Sequence, residues 1–261
     1  MKNFNFKSAS NTKEATKLFS GRATFLAGGM TLLPAIKLRL AAYSDLINIK
    51  KIKSLSGIKV SSKSIRIGAT TTHAEVANSK EVGKSIPSLA VLADGIGDPQ
   101  VRNRGTIGGS IANNDPAADY PSACLALNAI IHTNKRKIPA DKFFKGMFET
   151  DLKKGELIES IEFEVPEKSG YAKFPNPASR YAIVGVYVTQ LKKEVRVAVT
   201  GAANCVFRSK ELEKALSDNF SSSAVDNVNV SSKELNTDIH ASAEYRAHII
   251  KVMAKKAMSY C

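Results

Sequence analysis

A chain of 261 residues with 43% hydrophobic residues has enough apolar mass for one large domain or two modest ones with a buried core. Its three cysteines, Cys124, Cys205 and Cys261, lie far apart in no CxxC or Cys/His grouping, which excludes an iron–sulfur or zinc site built from this chain alone and suits a reducing compartment. Lys and Arg number 38 against 24 Asp and Glu, a net charge of +14, but the cations are spread along the chain and seldom interleaved with aromatics, which argues against a nucleic-acid surface.

The opening residues Met1–Lys7 hold no apolar stretch of signal-peptide length and no later segment approaches a membrane span, so a cytoplasmic protein is expected. In chain order, Asn11 followed by Glu14 reads as the cap of a short helix carrying Ala15, Leu18 and Phe19 on its apolar side. Phe25-Leu26-Ala27 then runs into Gly28-Gly29, after which Leu32, Leu33 and Ile36 recur at helical spacing: strand, tight loop, helix. Leu46–Ile49 and Ser64–Ala69 read as strands, the second leading through Thr70 and Thr71 into the capping box Thr72-His73-Ala74-Glu75. Pro87–Ala93 reads as a helix, and Gly95 to Thr106 as a long loop with almost no apolar anchors, of the kind that tends to carry function. Another buried helix is expected at Ser122–Asn128, and the polar stretch from about 133 to 156 marks the main boundary.

Beyond that boundary the pattern changes to alternation: Ile161, Phe163 and Val165, then Val195, Val197 and Val199, with Tyr181–Val188 a continuous β-prone run between them. These read as one antiparallel sheet. The chain ends in a helix with Tyr245, Ile249, Ile250, Met253 and Ala257 on one face and Lys251, Lys255 and Lys256 on the other.

Two glycine pairs carry the chemistry. In Ala27-Gly28-Gly29-Met30-Thr31, placed between a strand and a helix, glycines either make a tight turn or let an anion approach main-chain N–H groups. Thr106-Ile107-Gly108-Gly109-Ser110 adds two hydroxyls to a second pair, and two amide-rich loops meeting around one pyrophosphate would neutralise it without a metal. Neither segment has the GxGxxG or GxxxxGK[ST] spacing of a Rossmann or P-loop site. Asp115 and Asp119 suit either turns or a ligand, Asp98, Arg102 and Arg104 suit bracing of the long loop, and His73 suits a structural place inside its cap. His132, His240 and His248 have no sequence partner suggesting a triad or metal site, and no acid–base pair is evident.

The stretches Leu26–Lys37 (LAGGMTLLPAIK), Ile67–Glu75 (IGATTTHAE) and above all Gly97–Pro121 (GDPQVRNRGTIGGSIANNDPAADYP) closely resemble the FAD-binding medium subunits of molybdenum hydroxylases, the carbon monoxide dehydrogenase and xanthine dehydrogenase family. Asp238–Arg246 (DIHASAEYR) resembles the entry to the family's last helix, so the likeness spans essentially the whole chain. It implies an α+β fold: a two-part FAD-binding domain of the vanillyl-alcohol-oxidase or PCMH type over 1–156 (parts of about 1–55 and 56–156), then a small α+β C-terminal domain over 157–261 with an antiparallel sheet. It implies that the loops Ala27–Leu32 and Thr106–Ser110 hold the pyrophosphate of FAD, that Asp119 meets a ribityl or ribose hydroxyl, that Ile96 lines the flavin pocket, and that Lys173 and Tyr181 lie beside the isoalloxazine. Met30 stands where the family carries a polar residue; Pro177 and Arg180-Tyr181 depart from its pattern in a segment one residue short.

The implied role is that of an oxidoreductase subunit. Electrons would come from a small 2Fe–2S subunit, with substrate oxidised on a large molybdopterin subunit, and leave for an external acceptor such as NAD, a quinone or oxygen. A self-contained flavin oxidase or reductase, and a basic scaffold that has lost FAD, are the alternatives that the sequence leaves open.

Overall fold

A computed structural model describes residues 2–261. The first part is a small parallel sheet. Strands β1 (Asn5–Ser8), β2 (Ala23–Leu26) and β3 (Asp45–Asn48) pair in the order β1-β3-β2, linked by helices α1 (Thr12–Leu18) and α2 (Leu32–Lys37). Parallel neighbours need a crossover, and the two short helices supply it. Asn11 caps α1 as expected, its side chain accepting from Glu14 N at 2.9 Å.

A second sheet has the order β4-β5-β10-β6-β7, from β4 (Ile58–Val60), β5 (Ser64–Gly68), β6 (Ile130–Thr133), β7 (Lys137–Pro139) and β10 (Ile158–Glu164). Between β5 and β6 come six short helices: α3 (His73–Asn78), α4 (Lys80–Ser85), α5 (Pro87–Asp94), α6 (Pro99–Arg104), α7 (Ile107–Asn113) and α8 (Tyr120–Ala126). They cover one face of the sheet, and Leu89, Leu92, Ile107 and Tyr120 pack with Ile65, Ile67, Ile131 and Ile161 in one core. After β7, helix α9 (Ala140–Phe143) leads into the hairpin β8 (Phe144–Gly146) and β9 (Glu149–Thr150).

The alternation of Ile161, Phe163 and Val165 does make a strand, but β10 sits at the centre of this second sheet rather than in the C-terminal one. Its partners β5 and β6 are remote in sequence, so no local pattern names them. On the outer face Glu162 bonds Arg66 at 2.7 Å and His132 at 2.8 Å, a cross-strand cluster that gives His132 the partner its sequence context lacks.

The last part is the antiparallel sheet β11 (Lys168–Pro175), β12 (Ala182–Gln190), β13 (Val195–Thr200) and β14 (Phe207–Arg208), with helices α10 (Lys210–Asp218) and α11 (Ala243–Met258). Helices α10 and α11 pack on one face of it, α5 and α8 on the other. Burial on both faces explains why Tyr181–Val188 reads as a continuous apolar run, and why Arg196, expected to point outward from an alternating strand, is buried. Its guanidinium donates to Leu125 O at 2.7 Å and to Asp141 at 2.8 Å, joining the last part to α8 and α9.

In α11 the register also differs from expectation: Tyr245 is exposed, and Arg246 is 3% exposed. The reason is polar. Arg246 Nη1 donates to Ile183 O at 2.6 Å and Gly201 O at 3.0 Å, and Nη2 pairs with Asp238 at 2.7 Å. Arg246→Ala leaves two buried carbonyls bare and is expected to cost about 3 kcal/mol, read as a lowered urea midpoint. No helix among the described residues is long and apolar enough to cross a membrane.

Candidate functional site

A cleft of about 530 Å³ opens where all three parts meet. Its first wall is the loop leaving β2. The last ladder bond runs from Ile49 N to Leu26 O, and helical bonding resumes with Leu33 N to Gly29 O at 3.0 Å. Between them, the N–H groups of Ala27, Gly28, Gly29, Met30, Thr31 and Leu32 have no acceptor among the described residues. Gly29 permits this path at φ +74°, where a side chain would be strained. A row of free donors on a cleft wall suits an anion.

The second glycine pair is built differently from expectation. Gly95–Thr106 is not a continuous loop: Asp98 caps α6 by accepting from Val101 N at 2.8 Å, with Pro99 in the first turn. Thr106 then caps α7, so Gly108-Gly109 form a helix start. Their amides are already used. Ile107 N donates to Thr71 O at 3.1 Å, Gly108 N to Ala69 O at 2.9 Å, Gly109 N to Thr106 Oγ1 at 3.1 Å and Ser110 N to Thr106 O at 3.0 Å. Only one of the two loops is therefore an amide cradle; the other offers the bare surface of Gly109 and the free hydroxyl of Ser110.

The two loops touch. A Cβ on Gly28 would collide with Arg104 O and stand 2.9 Å from Gly105 Cα, so Gly28 must be a glycine for the segments to pass, while a Cβ on Gly105 would meet the His73 ring. Arg102 braces the turn before α6 through Ile96 O and Gly97 O, each at 3.2 Å, which fits the bracing role read from sequence.

The third wall joins α8 to the C-terminal sheet. Asp119, 4% exposed, borders the cleft at the start of α8. Its Oδ1 accepts from Tyr171 Oη at 2.5 Å and pairs with Lys173 Nζ at 2.8 Å, while Oδ2 has no partner among the described residues. Burial pushes the Asp119 carboxyl up; the Lys173 ammonium and the Tyr171 hydroxyl oppose that rise. The turn between β11 and β12 brings Ser179, Arg180 and Tyr181 to the rim, with Arg180 Nη1 on Gly97 O at 3.1 Å. Burial, then Asp115 and Asp119, raise the Tyr181 phenol.

Of the residues expected at a site, Ala27, Gly28, Gly29, Met30, Thr31, Leu32, Ile96, Thr106, Gly109, Ser110, Asp119 and Tyr181 border this cleft. Ile107 and Gly108 lie behind the wall, and Lys173 reaches Asp119 and Gly95 O rather than the opening. Asp115, which suits either a turn or a ligand, also borders it, as do His73, Gly105, Ser179 and Arg180, which the sequence did not single out for binding.

Residues 2–167 match the family model described as the FAD binding domain in molybdopterin dehydrogenase, and 169–261 match the CO dehydrogenase flavoprotein C-terminal domain. The chain belongs to the FAD-binding medium subunits of the molybdenum hydroxylases. This medium subunit is 34% identical to the glyceraldehyde dehydrogenase medium chain of Sulfolobus acidocaldarius, over 97% of its own length and 96% of the relative's. It is also 34% identical to the carbon monoxide dehydrogenase medium chain of Hydrogenophaga pseudoflava, over 91% and 88%. Its fold matches a solved carbon monoxide dehydrogenase of H. pseudoflava that lacks the Mo-pyranopterin moiety, with a TM-score of 0.90, 32% identity and 99% and 97% of the two chains covered. A reconstituted CO dehydrogenase from Oligotropha carboxidovorans matches with a TM-score of 0.92 at 27% identity, over 99% and 97%. The medium subunit is thus an oxidoreductase component, and its cleft has the right chemistry for FAD: free amides for phosphate, hydroxyls and a carboxylate oxygen for sugar hydroxyls, and an aromatic rim.

Proposed function

We propose that the medium subunit holds FAD in this cleft and serves as the electron-transfer flavoprotein of a cytoplasmic molybdenum hydroxylase, receiving electrons from a 2Fe–2S subunit while a molybdopterin subunit oxidises the substrate. The observation that carries this reading is the run of unpartnered amides from Ala27 to Leu32 facing Gly109 and Ser110 across one cleft, in a chain that its family matches nearly end to end. When bound, FAD would supply the redox chemistry that links one-electron and two-electron partners, the acceptor being of the kind of NAD, a quinone or oxygen.

The protein's part is to bind and orient. The Ala27–Leu32 amides take the pyrophosphate, with Ser110 donating from the opposite side. Asp119, its Oδ1 fixed by Tyr171 and Lys173, turns Oδ2 to a sugar hydroxyl. Lys173 is then a positioning residue that acts through Asp119. Ile96 and Tyr181 enclose the ring and keep water from it. Net charge of +14 suits docking to acidic partner faces.

The test is in two steps. FAD added to the flavin-free chain is expected to bind one per chain with a change in flavin fluorescence, and expression with the neighbouring genes is expected to give a complex containing iron and molybdenum. A colourless chain that takes up no FAD, alone or in such a complex, would refute this reading.

A further inference from the structure

His73 opens α3 inside the Thr72–Glu75 capping box, which fixes its backbone, and its N–H donates to Gly105 O at 3.0 Å. The side chain is 5% exposed and borders the cleft. Its two ring nitrogens differ. Nδ1 is fully enclosed and has no partner. The Nε2 edge lies over Gly105, where a Cβ would stand 2.6 Å from Nε2, at the seam where Gly105 meets Gly28. Nε2 likewise has no hydrogen-bond partner among the described residues, so an unused nitrogen sits where the amide cradle and the α6–α7 segment touch.

We propose that His73 is a cofactor-binding residue whose Nε2–H donates a hydrogen bond to an oxygen of the FAD seated between Gly28 and Gly109. The inference rests on the FAD reading above and adds to it a side-chain donor that fixes the cofactor's depth at the seam. Burial and the nearby Arg102 charge lower the imidazole pKa to about 4, so the ring carries one proton at neutral pH. An enclosed N–H without an acceptor is costlier than an enclosed bare nitrogen, which places that proton on Nε2 rather than Nδ1. A donor there complements phosphate and flavin-carbonyl oxygens, which only accept.

The geometry supplies its own control. The amide nitrogen of glutamine reaches about as far as Nε2 of histidine, and that of asparagine about as far as Nδ1. His73→Gln is therefore expected to bind FAD within about twofold of the native chain, and His73→Asn about tenfold more weakly. Nitrogen-15 spectra of the native chain are expected to show the Nε2–H tautomer, with that proton shifting when FAD is added; they decide the matter if His73→Asn does not fold. Equal FAD affinity in both variants and the native chain, or an Nδ1–H tautomer indifferent to FAD, overturns the assignment to His73. Failure of the native chain to bind FAD at all overturns instead the reading on which it rests.

Discussion

Gly28→Ala is expected to lower FAD affinity by at least about a hundredfold, the equivalent of two charge-assisted hydrogen bonds, and to destabilise the protein by about 3 kcal/mol. The added methyl meets main chain, the Arg104 carbonyl and Gly105 Cα, and not a side chain that can rotate away. The β2–α2 loop must therefore retreat from α6, and the amides from Ala27 to Leu32 move with it. Titration with FAD and thermal unfolding of the same sample separate the two effects. If Gly28→Ala bound FAD like the native chain, the packing of Gly28 on Gly105 would have no bearing on the cofactor.

Lys173→Met is expected to cost about 3–5 kcal/mol at neutral pH, because it leaves the Asp119 carboxylate buried with no counter-charge. The sign of the pH dependence follows from burial, which already raises the Asp119 carboxyl and would do so unopposed by the ammonium. A carboxyl with a folded pKa above its unfolded value makes the folded state bind more protons in the interval between the two. Stability of the variant therefore improves as pH falls through that raised folded value towards the ordinary carboxylate range. Urea midpoints are expected to show a wide gap between variant and native chain at pH 8 and a narrower one at pH 5. Asp119→Asn combined with Lys173→Met removes the charge as well as its partner and is expected to recover most of the loss. A gap that stays constant with pH would mean that Lys173 contributes packing alone.

Local chemistry was legible in the sequence, and long-range partnership was not. The Asn11 cap, the Thr72–Glu75 box and the strand–loop–helix around Gly28-Gly29 each depend on residues a few positions apart, and each forms as read. Helix α6 was missed because it buries none of its residues, although Asp98 followed by Pro99 is a helix-start signal that could have found it. The role of Gly108 was misread for a different reason. Sequence shows that a glycine is present, but only coordinates show that its N–H is spent on Ala69 O and that its missing Cβ makes room for Ala69. Lys173 and Arg196 follow the same logic: each meets a partner far along the chain, Asp119 and Asp141, that no spacing rule links to it.

The turn that carries Ser179, Arg180 and Tyr181 comes late in the chain, yet it finishes a wall begun at Thr24. A chain cut short before residue 179 would keep the Ala27–Leu32 loop and lack the rim that closes the cleft over it.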